Sequence, residues 1–261
     1  MSFHIGKRWR LLVPHALLLL LVLVVLAWWA FADARAYRAF CLVDDSARRR
    51  AFYRQWTLTS FVLFGLGGLV LLAATGSLGD LWRMPSEFAQ LAPASAIAEA
   101  GAGGGADYVI GVLIGIGAML ALSVLLWALQ IRKMTLPAIG DIEPLLPRNG
   151  AEIVAALPMA INAGFSEELF FRLALPLLAT RVTGSALAGF AIATGAFALA
   201  HWYQGWKGML VVLEIGAGFA WLYLSSGSLL QPILVHVLVD LIALVVRPAI
   251  ALRWHAQIAP N

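Results

Sequence analysis

Charged residues are scarce in this chain, and cysteine is nearly absent. Lysine, arginine, aspartate and glutamate make up 12% of the 261 residues, about half the share that is usual in a soluble domain. The single cysteine, Cys41, excludes a disulfide framework within the chain, and no CxxC motif is present for zinc or redox chemistry. The composition therefore argues against a soluble domain and against a disulfide-stabilised one.

Long apolar runs take the place of the missing charge. Hydrophobic residues make up 62% of the chain, and its mean hydropathy is +0.87. Such runs predict an all-α fold, a polytopic bundle of transmembrane helices in a lipid bilayer. The net charge of +4 gives no support to nucleic-acid binding, because basic residues that flank membrane spans produce the same total.

Seven apolar runs have about the length that a bilayer requires. They cover residues 11–32, 57–76, 108–129, 151–178, 184–202, 208–225 and 229–247. The first run is longer than the apolar core of a signal peptide, so we predict a retained span. The chain then divides into an N-terminal region of three spans (1–150), a core (151–247) and a C-terminal tail (248–261).

The loops between the predicted spans differ in charge. Residues 33–56 hold six arginines, and residues 130–150 hold three basic residues and three prolines. The positive-inside rule places both loops and the C-terminus in the cytoplasm. The N-terminus then faces outward on this count of spans, although Lys7, Arg8 and Arg10 favour the opposite orientation.

Ionisable side chains inside the predicted spans are concentrated in the core. A charged side chain at the centre of a bilayer costs about 2.5–3.5 kcal/mol on insertion scales, so few are expected without a purpose. The first three spans hold only His15. Besides Glu152 and Arg247 at their ends, the last four hold Glu167, Glu168, Arg172, His201, Glu214, His236 and Asp240.

The spacing of the first three of these groups separates them into two sets. Glu168 and Arg172 are four residues apart, so on a helix they lie on one face and can pair. Glu167 is rotated by about 100° from Glu168 and faces a different neighbour. A helix that served only for packing would gain nothing from Glu167.

The two histidines of the core each have a neighbour one helical turn away. Phe197 precedes His201 by four residues and can pack over its imidazole ring. Asp240 follows His236 by four residues and can accept a hydrogen bond from one ring nitrogen, which would fix the tautomer. Three helices thus present Glu, His and His, a set that can either bind a metal ion or activate a water.

Each pattern also has an explanation without catalysis. A buried histidine is commonly a hydrogen-bonding contact between helices, the Glu168–Arg172 pair can be a structural ion pair, and His236 with Asp240 can relay protons in a transporter. For Glu214, beside Gly216 and Gly218, we expect a hydrogen bond to a neighbouring helix. All of these explanations would have to hold independently on three helices.

Three short motifs occur in order along the core. "EELFFR" at 167–172 has the pattern EExxxR, "FALAH" at 197–201 has FxxxH, and "HVLVD" at 236–240 has HxxxN/D. In this order on successive membrane helices they resemble the CPBP family of intramembrane proteases, which includes the CAAX-prenyl endopeptidase of eukaryotes and the bacterial Abi proteins. The resemblance covers residues 151–247, and the first three spans carry no signature.

The resemblance implies a role for each motif residue. Glu167 and His201 would activate a water, His236 would assist at the oxyanion, and Asp240 would lie beside it. The supporting partners would be Glu168, Arg172 and Phe197. In another view of the family, Glu167, His201 and His236 are ligands of a catalytic zinc ion with a water in the fourth position. HExxH is absent, and we favour metal-free glutamate chemistry without a cofactor.

Asp240 departs from the family pattern, in which this position is often Asn. An ionised aspartate cannot donate a hydrogen bond to an oxyanion. We therefore expect Asp240 to orient His236 instead. The predicted topology also places His201 and His236 at different depths, so both can meet Glu167 only if a helix is shifted, tilted or broken. Candidate positions for such a break are Gly205, Gly227 and Pro232.

Two classes of function follow from these observations. The resemblance implies an endopeptidase in the bacterial inner membrane that cleaves a membrane-embedded or lipidated peptide or protein. The alternative is a non-enzymatic membrane protein, either a bacteriocin-immunity scaffold or a proton-coupled transporter. A transporter would more often show repeated halves, whereas the buried charges here lie in one half. The sequence specifies neither the substrate nor an oligomeric state.

Overall fold

Helices form every regular element that the computed structural model describes, over residues 2–91 and 142–258. These are α1 (Ser2–Phe40), α2 (Ser46–Ser60), α3 (Gly67–Ala74), α4 (Gly150–Glu168), α5 (Leu175–Thr183), α6 (Ala186–Ala200), α7 (Gly205–Ser226), α8 (Leu230–Leu241) and α9 (Arg247–Ile258). Short 3₁₀ turns lie at Leu78–Leu81, Ser86–Phe88, Glu143–Leu145 and Trp202–Gln204. The predicted all-α class is confirmed.

Five helical rods within the described residues are long and apolar enough to cross a membrane. They are Leu12–Phe40, Ser46–Ala74, Gly150–Thr183, Trp202–Ser226 and Leu230–Leu252. The predicted total of seven spans is not confirmed. Helix α6 has only 15 residues, and the predicted span 108–129 lies outside the described residues. The protein is a multi-pass helical membrane protein.

The prediction that residues 33–56 form a loop is wrong. Helix α1 continues to Phe40, and α2 begins at Ser46, where the Asp45 side chain accepts a hydrogen bond from the backbone N–H of Arg48. The arginines and alanines beyond the apolar run are strong helix formers. Hydropathy therefore marked where the apolar run ends, whereas the helix continues beyond it.

Three of the rods contain a π-helical segment. These segments are Phe61–Leu66 between α2 and α3, Leu169–Ala174 between α4 and α5, and Ile242–Val246 between α8 and α9. A π-helical segment loosens the repeat of the helix and often occurs at functional sites. The second segment begins directly after Glu168, so the change in helical repeat falls on the EExxxR motif.

Helix α4 is the central element, packed between α2 and α8. It approaches α8 closely at Gly164, where a Cβ atom would lie 2.5 Å from Cγ2 and 2.6 Å from the backbone nitrogen of Val237. Only a glycine admits the backbone of α8 at this distance. The crossing fixes the position of His236, the residue before Val237.

Arg49 connects the N-terminal helices to α4. Its side chain is fully buried, and its Nε lies 3.0 Å from Oε2 of Glu152. Its Nη2 donates to the hydroxyl of Tyr53 and to the carbonyl oxygens of Pro144 and Leu146. One of the six arginines assigned to a cytoplasmic loop is thus a buried contact between α2, α4 and the segment that precedes α4.

Candidate active site

Glu167 lies at the centre of the long rod Gly150–Thr183. Its side chain is 12% exposed, and its Oε2 lies 4.0 Å from Nε2 of His201 and 4.0 Å from Nε2 of His236. Both separations are too long for a hydrogen bond. Among the described residues, Oε2 has no hydrogen-bond partner. Glu167 therefore faces two imidazoles across gaps in which a water can bridge.

His201 ends helix α6 and is held by Phe197. Its Nδ1 lies 2.9 Å from the carbonyl oxygen of Phe197, and the two rings pack with their centroids 4.8 Å apart. Because a carbonyl oxygen can only accept, Nδ1 carries the proton. In the neutral imidazole, Nε2 then has a free lone pair directed toward Glu167. The predicted contact between Phe197 and His201 is present.

Glu168 joins the other histidine to the arginine. Its Oε1 accepts a hydrogen bond from Nδ1 of His236 at 2.8 Å. Its Oε2 lies 3.0 Å from Nε of Arg172, at ion-pair distance but without the alignment of a hydrogen bond. Glu168 and Arg172 are fully buried. The predicted pair is present, and Glu168 also fixes the tautomer and orientation of His236.

The guanidinium of Arg172 is enclosed by aromatic rings. Its Cζ lies 4.4 Å from the ring centroid of Phe197 and 5.6 Å from that of Phe219. Phe219 in turn stacks on His236, with ring centroids 5.0 Å apart and an angle of 24°. Cation–π contacts stabilise the buried charge. The sequence does not distinguish Phe219 as a site residue, because a phenylalanine within an apolar helix carries no signal of its own.

The expectation that Asp240 fixes the tautomer of His236 is wrong. The nearest carboxylate oxygen of Asp240 lies 3.7 Å from Nε2 of His236, beyond hydrogen-bond distance. Nδ1 is already held by Glu168, a residue 68 positions away that helical spacing could not relate to His236. Asp240 therefore lies beside the gap between Nε2 of His236 and Glu167 and leaves Nδ1 to Glu168.

The structure resolves the difference in depth between the two histidines. Helix α6 has 15 residues, about 22 Å at 1.5 Å per residue, so His201 follows a helix too short to cross the hydrocarbon core. Gly205 and Gly227, with φ of +74° and +67°, are turn positions as expected. Pro232 breaks no helix, because it lies in the first turn of α8, where its missing N–H has no intrahelical partner.

Asp33 is a buried acid in the segment that hydropathy predicts to be a loop. It lies in α1, is 7% exposed and accepts a hydrogen bond of 2.6 Å from Nε1 of Trp56. His15 is therefore not the only ionisable group in the first spans. Trp56 packs against Tyr203, which packs against His201. Helices α1 and α2 thus contribute to the surroundings of His201, although they carry no motif.

The expectation that Glu214 bonds to a neighbouring helix is also wrong. Glu214 is exposed on the outer face of α7. Of the two glycines beside it, Gly216 packs against Phe197, whereas a Cβ placed on Gly218 would meet no atom of another element within 4 Å. Among the described residues, Glu214 makes no hydrogen bond. It plays no part in the cluster formed by the other six core groups.

In this arrangement Glu167 lies farther from the two histidines than the ligands of a bound zinc ion lie from one another. Within the described residues, no group of three or more His, Cys, Asp or Glu side chains is arranged to hold a metal ion. Ligand atoms 2.0–2.1 Å from a tetrahedral zinc ion lie about 3.3 Å apart. The carboxylate oxygen of Glu167 lies 4.0 Å from each imidazole nitrogen.

The segment that holds this cluster is similar to a known protein family. Residues 149–242 match the family model described as Type II CAAX prenyl endopeptidase Rce1-like. No curated protein and no solved structure gives a significant match to the chain. The match supports a CAAX-type intramembrane protease, and it does not favour a scaffold or a transporter. It confirms the resemblance that the three motifs indicate: residues 149–242 of this multi-pass helical membrane protein are similar to the Rce1-like type II CAAX prenyl endopeptidases.

Proposed function

We propose that this protein is an intramembrane endopeptidase in which Glu167 and His201 activate a water that attacks a peptide bond. Its substrate would be a membrane-embedded or lipidated peptide or protein. The observation that carries the proposal is the position of Oε2 of Glu167. This oxygen has no hydrogen-bond partner among the described residues and lies 4.0 Å from Nε2 of each histidine.

A water molecule that lies between Glu167 and His201 can donate one hydrogen bond to each of them. Two hydrogen bonds of about 2.8 Å span the 4.0 Å between Oε2 and Nε2 when they meet at the water oxygen at roughly a right angle. The carboxylate accepts one proton, and the free lone pair on Nε2 of neutral His201 accepts the other. An oxygen lone pair of the water is then directed away from both groups, toward a substrate carbonyl carbon.

Hydrolysis can proceed with the groups in place. The water oxygen bonds to the carbonyl carbon as its proton passes to Glu167 or His201, and the carbonyl becomes an oxyanion. Nε2 of His236, when protonated, donates a hydrogen bond to this oxyanion, while Glu168 holds Nδ1. The proton then passes to the amide nitrogen, and the C–N bond breaks to give a carboxylic acid and an amine.

The experiment compares Glu167→Gln with Glu214→Gln. Both remove one carboxylate charge from a membrane helix, but Glu214 lies on an outer face. Termini of membrane proteins would be quantified by mass spectrometry in cells that express each variant. We expect Glu167→Gln to lower cleavage by 10²- to 10⁴-fold, the usual contribution of a general base. The control variant should behave like the wild type, and equal cleavage by both variants would refute the proposal.

Two further measurements define the chemistry and the substrate. The purified protein in proteoliposomes would be assayed on fluorogenic peptides with and without a prenylated cysteine. Cleavage of only the prenylated peptides would identify the lipid as part of the substrate. Metal-free catalysis predicts full activity after treatment with 1,10-phenanthroline. Loss of activity that zinc restores would overturn the proposed water activation while leaving the protease assignment intact.

A further inference from the structure

A groove of about 900 Å³ lies between α2 and α4, away from the candidate active site. On α4 it is lined by residues such as Pro158 and Phe165, which precede Glu167 by nine and two positions. At 100° per residue, these positions point roughly opposite to Glu167. The groove therefore lies behind the helix that carries the active site and is a separate surface.

One end of the groove is cationic. It is lined there by Arg50 and Arg54, one helical turn apart on α2. Arg50 donates a hydrogen bond of 3.2 Å to Oγ of Ser46, and Arg54 is exposed. Among the described residues, neither pairs with a carboxylate, whereas Arg49 on the same helix is paired with Glu152. The two guanidinium groups are thus free to bind an anion.

The rest of the groove is mainly apolar, with Thr57 and Asn162 as its polar lining residues, and has the length of one leaflet. One wall runs about 16 Å from Arg50 on α2 to Phe61, the first residue of the π-helical segment, and the α4 wall runs about 21 Å from Ala151 to Phe165. Half of a 30 Å hydrocarbon core is about 15 Å. Both helices start on the same side, because Asn149 at the start of α4 donates to Oγ of Ser46. The groove therefore has a cationic end followed by an apolar stretch, which is the order of the head group and the acyl chain in a lipid.

We propose that this groove binds an anionic phospholipid. The phosphate would lie between Arg50 and Arg54, and one acyl chain would pack along exposed apolar side chains such as Leu58, Val154 and Ile161. Basic pockets between transmembrane helices bind anionic head groups in this way. The positive charge of the two arginines favours an anionic head group over a zwitterionic one. The length of the apolar part of the groove matches an acyl chain.

The test uses the full-length protein purified in neutral detergent. Native mass spectrometry would measure retention of phosphatidylglycerol and of phosphatidylcholine with the same acyl chains. Each arginine near an anionic lipid contributes roughly a factor of five, so Arg50→Gln with Arg54→Gln should weaken phosphatidylglycerol binding on the order of 30-fold. The matched control, Arg38→Gln with Arg48→Gln, removes two exposed arginines outside the groove and should bind as the wild type does.

A second variant tests the apolar part without a change of charge. Val154 is 70% exposed and lines the groove, so Val154→Trp should narrow it, weaken lipid binding and leave the thermal unfolding temperature unchanged. Equal losses in the two double arginine variants would indicate diffuse attraction and overturn the proposal. Equal binding of the two lipids would also overturn the proposal. Photo-crosslinks from position 154 to residues 92–141, or to a second copy of the chain, would do the same.

Discussion

Gly164→Ala should displace His236 without changing any side chain of the candidate active site. It therefore tests whether the position of His236 is needed for activity. The new Cβ would lie 2.6 Å from the backbone nitrogen of Val237, and ordinary contact begins at 3.4 Å, so α8 has to retreat by about 0.8 Å. A shift of this size along the bond from His236 to Glu168 lengthens it from 2.8 Å to about 3.6 Å, which is no longer a hydrogen bond.

The expected losses differ in size between stability and activity. Overpacking of this kind costs about 1–3 kcal/mol in the free energy of unfolding, measured as a lower unfolding temperature in detergent. Misplacement of a catalytic group by about 1 Å can lower the rate 100-fold, measured by cleavage in the fluorogenic assay. Loss of the Nδ1–H signal of His236 in ¹⁵N-labelled protein would report the broken hydrogen bond directly.

Gly195→Ala is the matched control for this prediction. It is also a glycine-to-alanine change within a membrane helix, but a Cβ at Gly195 meets nothing within 4 Å. Since alanine favours the helix over glycine by up to about 1 kcal/mol, this variant should be at least as stable as the wild type. If Gly164→Ala were as stable and active as Gly195→Ala, the close crossing of α4 and α8 could not be what positions His236.

Three further predictions concern other contacts. Arg49→Ala should cost about 3–5 kcal/mol in the free energy of unfolding, because it leaves the buried carboxylate of Glu152 unpaired; an unfolding temperature like that of the wild type would contradict this. Partial burial raises the pKa of Glu87, but a backbone hydrogen bond and Arg181 outweigh it and hold the pKa below its usual range. The resulting stability, about 0.2–1 kcal/mol for so exposed a pair, is present above the unfolded pKa and is lost as pH falls through the folded pKa. When the free energy of unfolding is measured at decreasing pH, it should therefore fall less below about pH 4.5 in Glu87→Gln than in the wild type. Asp240→Asn should keep cleavage within about threefold, since Glu168 holds His236; an inactive but folded variant would show that the charge of Asp240 is required.

Contacts within one helical turn were predictable from the sequence. The pair of Glu168 and Arg172 and the packing of Phe197 on His201 both follow from a spacing of four residues. The hydrogen bond between Glu168 and His236 does not, because it depends on where two helices cross. The chain has 24 glycines, and only the folded structure shows that Gly164 lies at that crossing.

The ends of the helices were the other feature that could not be predicted from the sequence. Hydropathy ended the first span near residue 32, whereas α1 continues to Phe40 and carries Asp33 into a buried contact with Trp56. Hydropathy measures the preference of a side chain for lipid, and it does not detect whether the backbone remains helical. The contribution of α1 and α2 to the surroundings of His201 could therefore not be predicted.

The short length of α6 has a consequence for the surrounding membrane. At about 22 Å, this 15-residue helix leaves a hydrophobic mismatch of roughly 8 Å against a 30 Å core, which lipids relieve by thinning. The exposed side chains of Trp202 and Trp206 directly after His201 are the residues that settle at a membrane–water interface. The bilayer is therefore expected to dip toward His201 and to bring water, the second reactant of hydrolysis, to a site formed within the membrane. Cleavage in proteoliposomes should then slow as the acyl chains of the host lipid lengthen.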